Sequence, residues 1–301
     1  MPYLSGLKKI HIPVWIYALL ATLFWGMSFI WTSILLKDYE PVTIIFIRLI
    51  ISTLFLFSVM FLTRSFTLIR RKDLLLLAAS SVMNPFLYFL MENYGLKYSS
   101  PAIAAVIIST IPVFSPIPAY FIFKERLTWY NFAGIAISFA GILLMLIAPG
   151  FSFASNPLGI LFLFGAVVSA LIYSVTLKKL SAGYSPLTII SWQNLTGILL
   201  FLPFFLVFEL KKTLAVPLTY DIISSFLFLA LLASSLAYVF FVKSVKALGI
   251  TKANIFANLI PIVTAVFSFI LLGEVFTIRK VAGILVVIAG VLLSEAGKRK
   301  G

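Results

Sequence analysis

A chain of 301 residues that is 62% hydrophobic and 11% charged is too oily to be an ordinary water-soluble domain, which is about half apolar and about a quarter charged, so its solvent must be lipid. The formal net charge of +14 does not point to nucleic acid, because the basic residues lie between oily runs and not on one polar face. With no cysteine and a single histidine, His11 near the N-terminus, no disulfide or thiolate metal site is available, and neither a metal, a cofactor nor a catalytic histidine is expected.

A bilayer core of about 30 Å needs roughly 20 apolar residues per helix, and ten runs reach that length. The first, about 14–36, exceeds the roughly 7–15 residues of a signal peptide's apolar region, so it is read as a helix that stays in the membrane; it carries Trp25. The second, about 42–63, holds Arg48. The third, about 74–96, holds Asn84, Tyr88 and Glu92, whose four-residue spacing puts them on one face of a continuous helix. The fourth, about 101–123, contains Pro112, Pro116 and Pro118, each of which removes a backbone donor and predicts a kink; Pro112 and Pro116 are candidate hinges. The fifth, about 129–148, places Gly134 and Gly141 seven apart on one face.

The sixth run, about 157–177, carries Tyr173, and the seventh, about 186–208, groups Ser191, Trp192, Gln193, Asn194 and Thr196. The eighth spans about 221–242. In the ninth, about 252–273, Asn254 and Asn258 precede Pro261, a third candidate hinge. The tenth, about 279–295, repeats the glycine pair as Gly283 and Gly290. Small residues at this spacing allow close helix packing, here either between two halves of the chain or between two protomers of a homodimer. The segments between runs are too short for a soluble domain.

Lys and Arg concentrate on the cytoplasmic side of membrane proteins. Placing the N-terminus inside puts sixteen basic residues on that side and six on the other, with Arg48 left inside a span. The bias supports ten spans with both termini in the cytoplasm, and lipid headgroups suffice as the partner for the charge.

The two halves resemble each other. Pro112, Glu125, Gly134 and Gly141 are separated by 13, 9 and 7 residues, and so are Pro261, Glu274, Gly283 and Gly290. Pro41-Val-Thr-Ile-Ile likewise matches Pro186-Leu-Thr-Ile-Ile. Five helices per repeat is an odd number, so the second copy must enter from the opposite face. Such inverted repeats build secondary transporters, with a site near the repeat interface. The reading is an all-α integral membrane protein: a first repeat at 14–148, an outer linker at 149–156, a second repeat at 157–295, and cytoplasmic ends at 1–13 and 296–301.

Trp25-Gly26-Met27-Ser28, Arg48-Leu49, Tyr98-Ser99-Ser100-Pro101 and the duplicated Glu-x8-Gly-x6-Gly endings, in this order over about 14–295, resemble the EamA-type transporters of the drug/metabolite transporter (DMT) superfamily. The resemblance implies a multi-pass protein of the plasma membrane, as in a bacterial inner membrane. It also implies ATP-independent export or exchange of small metabolites such as amino acids.

Residue chemistry narrows where a substrate would sit. Glu92 lies roughly 6 Å inside the end of its span and Arg48 roughly 9 Å inside its own, at 1.5 Å per residue. Charges within a membrane usually face the bundle interior. These two can pair with each other or hold the carboxylate and ammonium of a zwitterion, and Glu92 can instead carry a proton or snorkel to the interface. Asn84, Tyr88, Gln193 and Asn194 extend the polar lining, Asn254 and Asn258 either join it or make an interhelical hydrogen bond, and Trp25, Trp192 and Tyr173 either stack on a ligand or simply pack. The repeat offset pairs Arg48 with Gln193, so the site is chemically asymmetric. Thr128 and Thr277 are read as caps of the fifth and tenth helices.

A membrane enzyme would need a convergent catalytic constellation, which this residue set does not offer, and no GxxxxGK[ST] phosphate loop occurs. A channel, or a receptor or scaffold that transports nothing, remains the alternative to a secondary transporter.

Overall fold

The computed structural model describes residues 13–124, 128–146, 155–248, 256 and 258–297. Among these residues every regular element is helical: α1 (Val14–Leu35), α2 (Pro41–Leu62), α3 (Leu74–Ser81), α4 (Tyr88–Lys97), α5 (Pro101–Ile108), α6 (Ile111–Phe114), α7 (Pro116–Phe123), α8 (Trp129–Leu146), α9 (Pro157–Ser181), α10 (Pro186–Phe204), α11 (Leu210–Leu214), α12 (Tyr220–Leu227), α13 (Ala237–Leu248), α14 (Ile260–Leu272) and α15 (Ile278–Gly297). Among the described residues eight helical stretches are long and apolar enough to cross a membrane, the third formed by Arg71–Lys97, the fourth by Pro101–Ile122, the seventh by Pro186–Leu214 and the eighth by Tyr220–Phe241. The shorter α14 and the 20-residue α15 follow them.

The third stretch is not the straight helix expected from its composition. Asn84 adopts extended backbone angles (φ −147°, ψ 119°) inside a wide turn, Val82–Leu87, between α3 and α4. Pro85 explains this: it cannot donate to the turn before it, and its ring pushes the preceding residue out of the helical region. A second wide turn, Phe228–Leu236, lies between α12 and α13. The Pro112-to-Pro261 spacing carries Val82–Leu87 onto the end of that second turn, so both copies of the repeat are widened at matching places.

The fourth stretch is broken too. Pro112 sits in the first turn of α6 and Pro116 opens α7; Pro261 sits in the first turn of α14. A first turn has no N–H to lose there. These prolines therefore begin new helical segments instead of kinking the middle of one.

Tight packing joins α8, in the middle of the chain, to α15 near its C-terminus. A methyl group on Gly134 would meet the Gly290 carbonyl oxygen at 2.6 Å, and one on Gly141 would meet the Gly283 carbonyl oxygen at 2.9 Å. Residue numbers rise along α8 as they fall along α15, so the helices run antiparallel with their backbones in direct contact. Asn131 Nδ2 donates to the Ser294 carbonyl at 3.1 Å along the same seam. The glycines expected to join either halves or protomers thus join the two halves of one chain. Thr277 caps α15 as expected, its Oγ1 accepting from Lys280 N at 3.2 Å. Thr128 does not act this way: Asn131 Oδ1 reaches back to accept from its N–H and hydroxyl, both at 2.9 Å.

Candidate functional site

A small cavity lies where the two widened turns face α9 and α10. Asn84, Pro85, Phe89, Tyr173, Ile190, Gln193, Asn194, Ser234 and Tyr238 line it, and about 10 Å³ is open to the centre of a water molecule, room for roughly one water. The wall therefore comes from both halves: α4 and the Asn84 turn from the first, and α9, α10, the Ser234 turn and α13 from the second.

Arg48 reaches this place from α2. It is 5% exposed. Its guanidinium lies over the Phe89 ring, 4.0 Å from the centroid, and its Nε donates to Ser234 Oγ. Ser234 Oγ in turn donates to the Leu229 carbonyl at 2.9 Å, a bond that the widened turn makes available. Among the described residues Nε makes the only hydrogen bond of Arg48, and no carboxylate stands within ion-pairing distance of it. Glu92 and Tyr238 are close enough to interact with it through space. A buried cation in a membrane interior needs such compensation, and here the compensation is partial.

Glu92 turns inward. Tyr88 O–H donates to Glu92 Oε1 at 2.9 Å, the i,i+4 contact that the spacing predicts. Asn84 does not continue that stripe, because its backbone is extended; it enters the cavity from the broken turn instead. Gln193 is held on both sides: Tyr173 O–H donates to its Oε1 at 3.1 Å and its Nε2 donates to Ser80 Oγ at 2.8 Å. Asn194 Nδ2 donates to Ser52 Oγ at 3.0 Å, and Ser52 shares a 2.8 Å hydrogen bond with Ser235. The polar wall of α10 is thus a network of internal bonds linking α2, α3, α9 and the Ser234 turn; the nearby charges stand behind the lining, Arg48 against Phe89 and Ser234 and Glu92 within electrostatic reach of Arg48.

The remaining candidates lie elsewhere. Trp192 points away from the cavity, donating from Nε1 to the Thr67 carbonyl at 3.0 Å and packing edge-on against Phe57. Trp25 stands behind the wall, edge-on to Tyr238 at 5.3 Å. Asn258 is buried but does not line the cavity. Asn254 lies outside the described residues. Sequence reasoning missed Tyr238, Ser234 and Ser52. The signal for two of them was the repeat: the Pro112-to-Pro261 spacing carries Phe89 onto Tyr238 and Pro85 onto Ser234, and all four line the cavity.

The EamA-like transporter family matches residues 13–147 and, a second time, residues 157–295. The chain belongs to that family. An uncharacterized transporter of Archaeoglobus fulgidus is 28% identical over 279 residues, covering 93% of this chain and 97% of its own. The uncharacterized transporter YetK of Bacillus subtilis is 25% identical over 258 residues, 84% of this chain and 78% of its own. A protein of Streptantibioticus cattleyicolor named as a probable terminal-alkyne amino-acid exporter is 28% identical over 224 residues, 74% of each chain. A solved protein structure superposes with a TM-score of 0.69 over 93% of this chain and 97% of its own at 16% identity, which shows the shared fold. This EamA-like transporter is accordingly a multi-pass protein of the plasma membrane, and its family transports small molecules.

Proposed function

We propose that this EamA-like transporter is a secondary-active exporter or exchanger of small zwitterions of the amino-acid class, working by alternating access. The observation that carries the reading is Arg48: a buried guanidinium beside a two-sided cavity, fixed through Nε and Phe89, with its terminal nitrogens unengaged among the described residues. A planar fork of this kind grips a carboxylate with two parallel hydrogen bonds. Glu92, on the neighbouring helix, supplies the opposite charge for an ammonium or takes up a proton. The S. cattleyicolor relative, named for amino-acid export, agrees with this substrate class.

The architecture that serves this function is ten spans in two inverted repeats, 14–148 and 157–295, with both termini in the cytoplasm. The α8–α15 seam supports the inversion. The repeat exchanges Gly134 with Gly283 and Gly141 with Gly290, so it turns one glycine contact into the other, as a two-fold axis in the membrane plane requires. A cavity closed down to about one water fits a carrier caught between openings better than an open channel.

The test is uptake and exchange of labelled amino acids in proteoliposomes without ATP, for wild type, Arg48→Lys and Arg48→Met. Loss of one charge-assisted hydrogen bond costs about 1.5–3 kcal/mol, or roughly 10- to 100-fold in affinity. Arg48→Lys should weaken binding by about that factor and Arg48→Met should abolish it. Unchanged affinity in Arg48→Lys would remove the carboxylate clamp, and flux indifferent to the substrate's carboxyl group would remove the substrate class.

A further inference from the structure

Glu209 is a buried carboxylate that the cavity does not use. It ends a wide turn, Phe205–Glu209, beyond α10 and is 5% exposed. Its Oε2 accepts from Thr43 N at 2.5 Å and Thr43 Oγ1 at 2.7 Å, and its Oε1 accepts from Val42 N at 3.3 Å. Those amides belong to the first turn of α2, where backbone donors have no partner within the helix. Glu40, the residue in the capping position, does not serve them. Its carboxylate is turned outward to Lys97 at 2.5 Å and Lys212 at 3.8 Å. The start of α2 is therefore capped from the other half of the chain, by a charge that the helix dipole favours. Phe46 stacks on Phe205 at 4.5 Å just inside the same junction. Arg48 lies less than two turns further along α2, so whatever releases the start of α2 frees the helix that carries Arg48.

The opposite end of this helix pair is built differently. The Arg48-to-Gln193 spacing carries Arg64 onto Glu209, and Arg64 is an exposed cation that cannot accept a hydrogen bond. The first turn of α10 is capped locally, with Ser185 Oγ accepting from Thr188 N at 3.1 Å. The halves meet there through half-exposed groups instead. Tyr184 O–H donates to Asp73 at 2.7 Å, and Arg70, 57% exposed, pairs with the same carboxylate at 2.9 Å. Among the described residues, the α2–α10 pair thus carries a buried inter-half carboxylate at one end only.

We propose that Glu209 is the latch that closes the cavity on the face bearing Lys37 and Lys97. Opening on that face requires the Glu209 carboxylate to leave the α2 amides and the Thr43 hydroxyl. Opening on the opposite face leaves these bonds intact. The inference rests on the transport reading of the same cavity.

The chain has no native cysteine, so Ile190→Cys, a cavity-wall position, reports access to a membrane-impermeant thiol reagent applied from either side of proteoliposomes. Lys37→Cys and Ala182→Cys, both at exposed positions, identify the two faces. Glu209→Ala should speed Ile190→Cys labelling from the Lys37 face by about ten-fold or more, the scale of one lost charge-assisted bond, and leave the opposite face unchanged. Thr43→Val removes the hydroxyl's bonds to Glu209 and Thr213 at nearly constant shape and should act in the same direction more weakly; it decides the matter if Glu209→Ala does not fold. Unchanged labelling from the Lys37 face, or an equal rise from both faces, overturns the latch. Labelling is scored relative to Lys37, so it reads the same in either membrane orientation, and an absent amino-acid flux would refute the transport reading without altering this result.

Discussion

Replacing Gly134 by alanine tests the seam that fixes the two halves. The added methyl would lie 2.6 Å from the Gly290 carbonyl oxygen and 2.8 Å from Ser294 N, where ordinary contact begins near 3.4 Å. Both obstacles are backbone, so α8 and α15 must separate by about 0.8 Å, a gap that forfeits a quarter to a half of each dispersion contact along the seam. Overpacking costs about 1–3 kcal/mol; against backbone that cannot swing aside the upper part of that range applies, about 2–3 kcal/mol, and alanine's helix propensity returns about 1 kcal/mol, leaving a net loss of about 1–2 kcal/mol. Gly165→Ala is the control. Its methyl would meet Met91 Sδ at 2.5 Å, but the next atom is 3.4 Å away, and a thioether swings aside easily. That variant should be neutral or gain up to about 1 kcal/mol. Thermal unfolding in detergent, followed by tryptophan fluorescence, should show a melting temperature about 2–6 °C lower for Gly134→Ala and no loss for Gly165→Ala. A neutral Gly134→Ala, or equal losses in both, would refute the claim that α8 and α15 touch backbone to backbone.

Glu274 gives a pH prediction. Burial alone would raise its pKa, but hydrogen bonds from Lys280, Ser100 and Ser268 outweigh burial and hold it below the ordinary glutamate value. A depressed carboxylate contributes stability that is complete at neutral pH and lost as pH falls through the folded pKa, here below the usual glutamate range near 4. Lys280→Met removes the 2.7 Å ion pair and lets the folded-state pKa rise toward or past the unfolded one, so the variant should be less stable at neutral pH and lose less stability than the wild type as pH falls below the glutamate range; superimposable curves of melting temperature against pH would contradict this. Glu92→Gln keeps the shape of the side chain and removes its proton chemistry. If Glu92 couples transport to protons, the variant's flux should be flat across pH where the wild type's is not, and an unaltered profile would withdraw that role.

The membrane character, the helices and the duplicated order were legible from the sequence because lipid imposes them locally. A run of about 20 apolar residues has few structures open to it in hydrocarbon, and the spacing from Pro112 to Gly141 recurs residue for residue from Pro261 to Gly290. The Tyr88–Glu92 pair was legible for the same reason, since four-residue spacing is itself a short-range property of a helix. Asn84 escaped that logic, because the proline after it breaks the periodicity on which the stripe depended.

What only the tertiary structure decided was who meets whom across the two copies. Pattern cannot say whether a buried arginine finds a carboxylate or a phenyl ring; packing set Arg48 on Phe89 and gave its Nε to Ser234. Nor could it show that Gln193 and Asn194 are already occupied, that Trp192 faces away, or that a glutamate 167 residues from Val42 caps the helix on which Arg48 sits. Hydrogen bonds and dispersion act over a few ångströms of space, and those atoms lie far apart in sequence and meet only when the two halves are packed against each other.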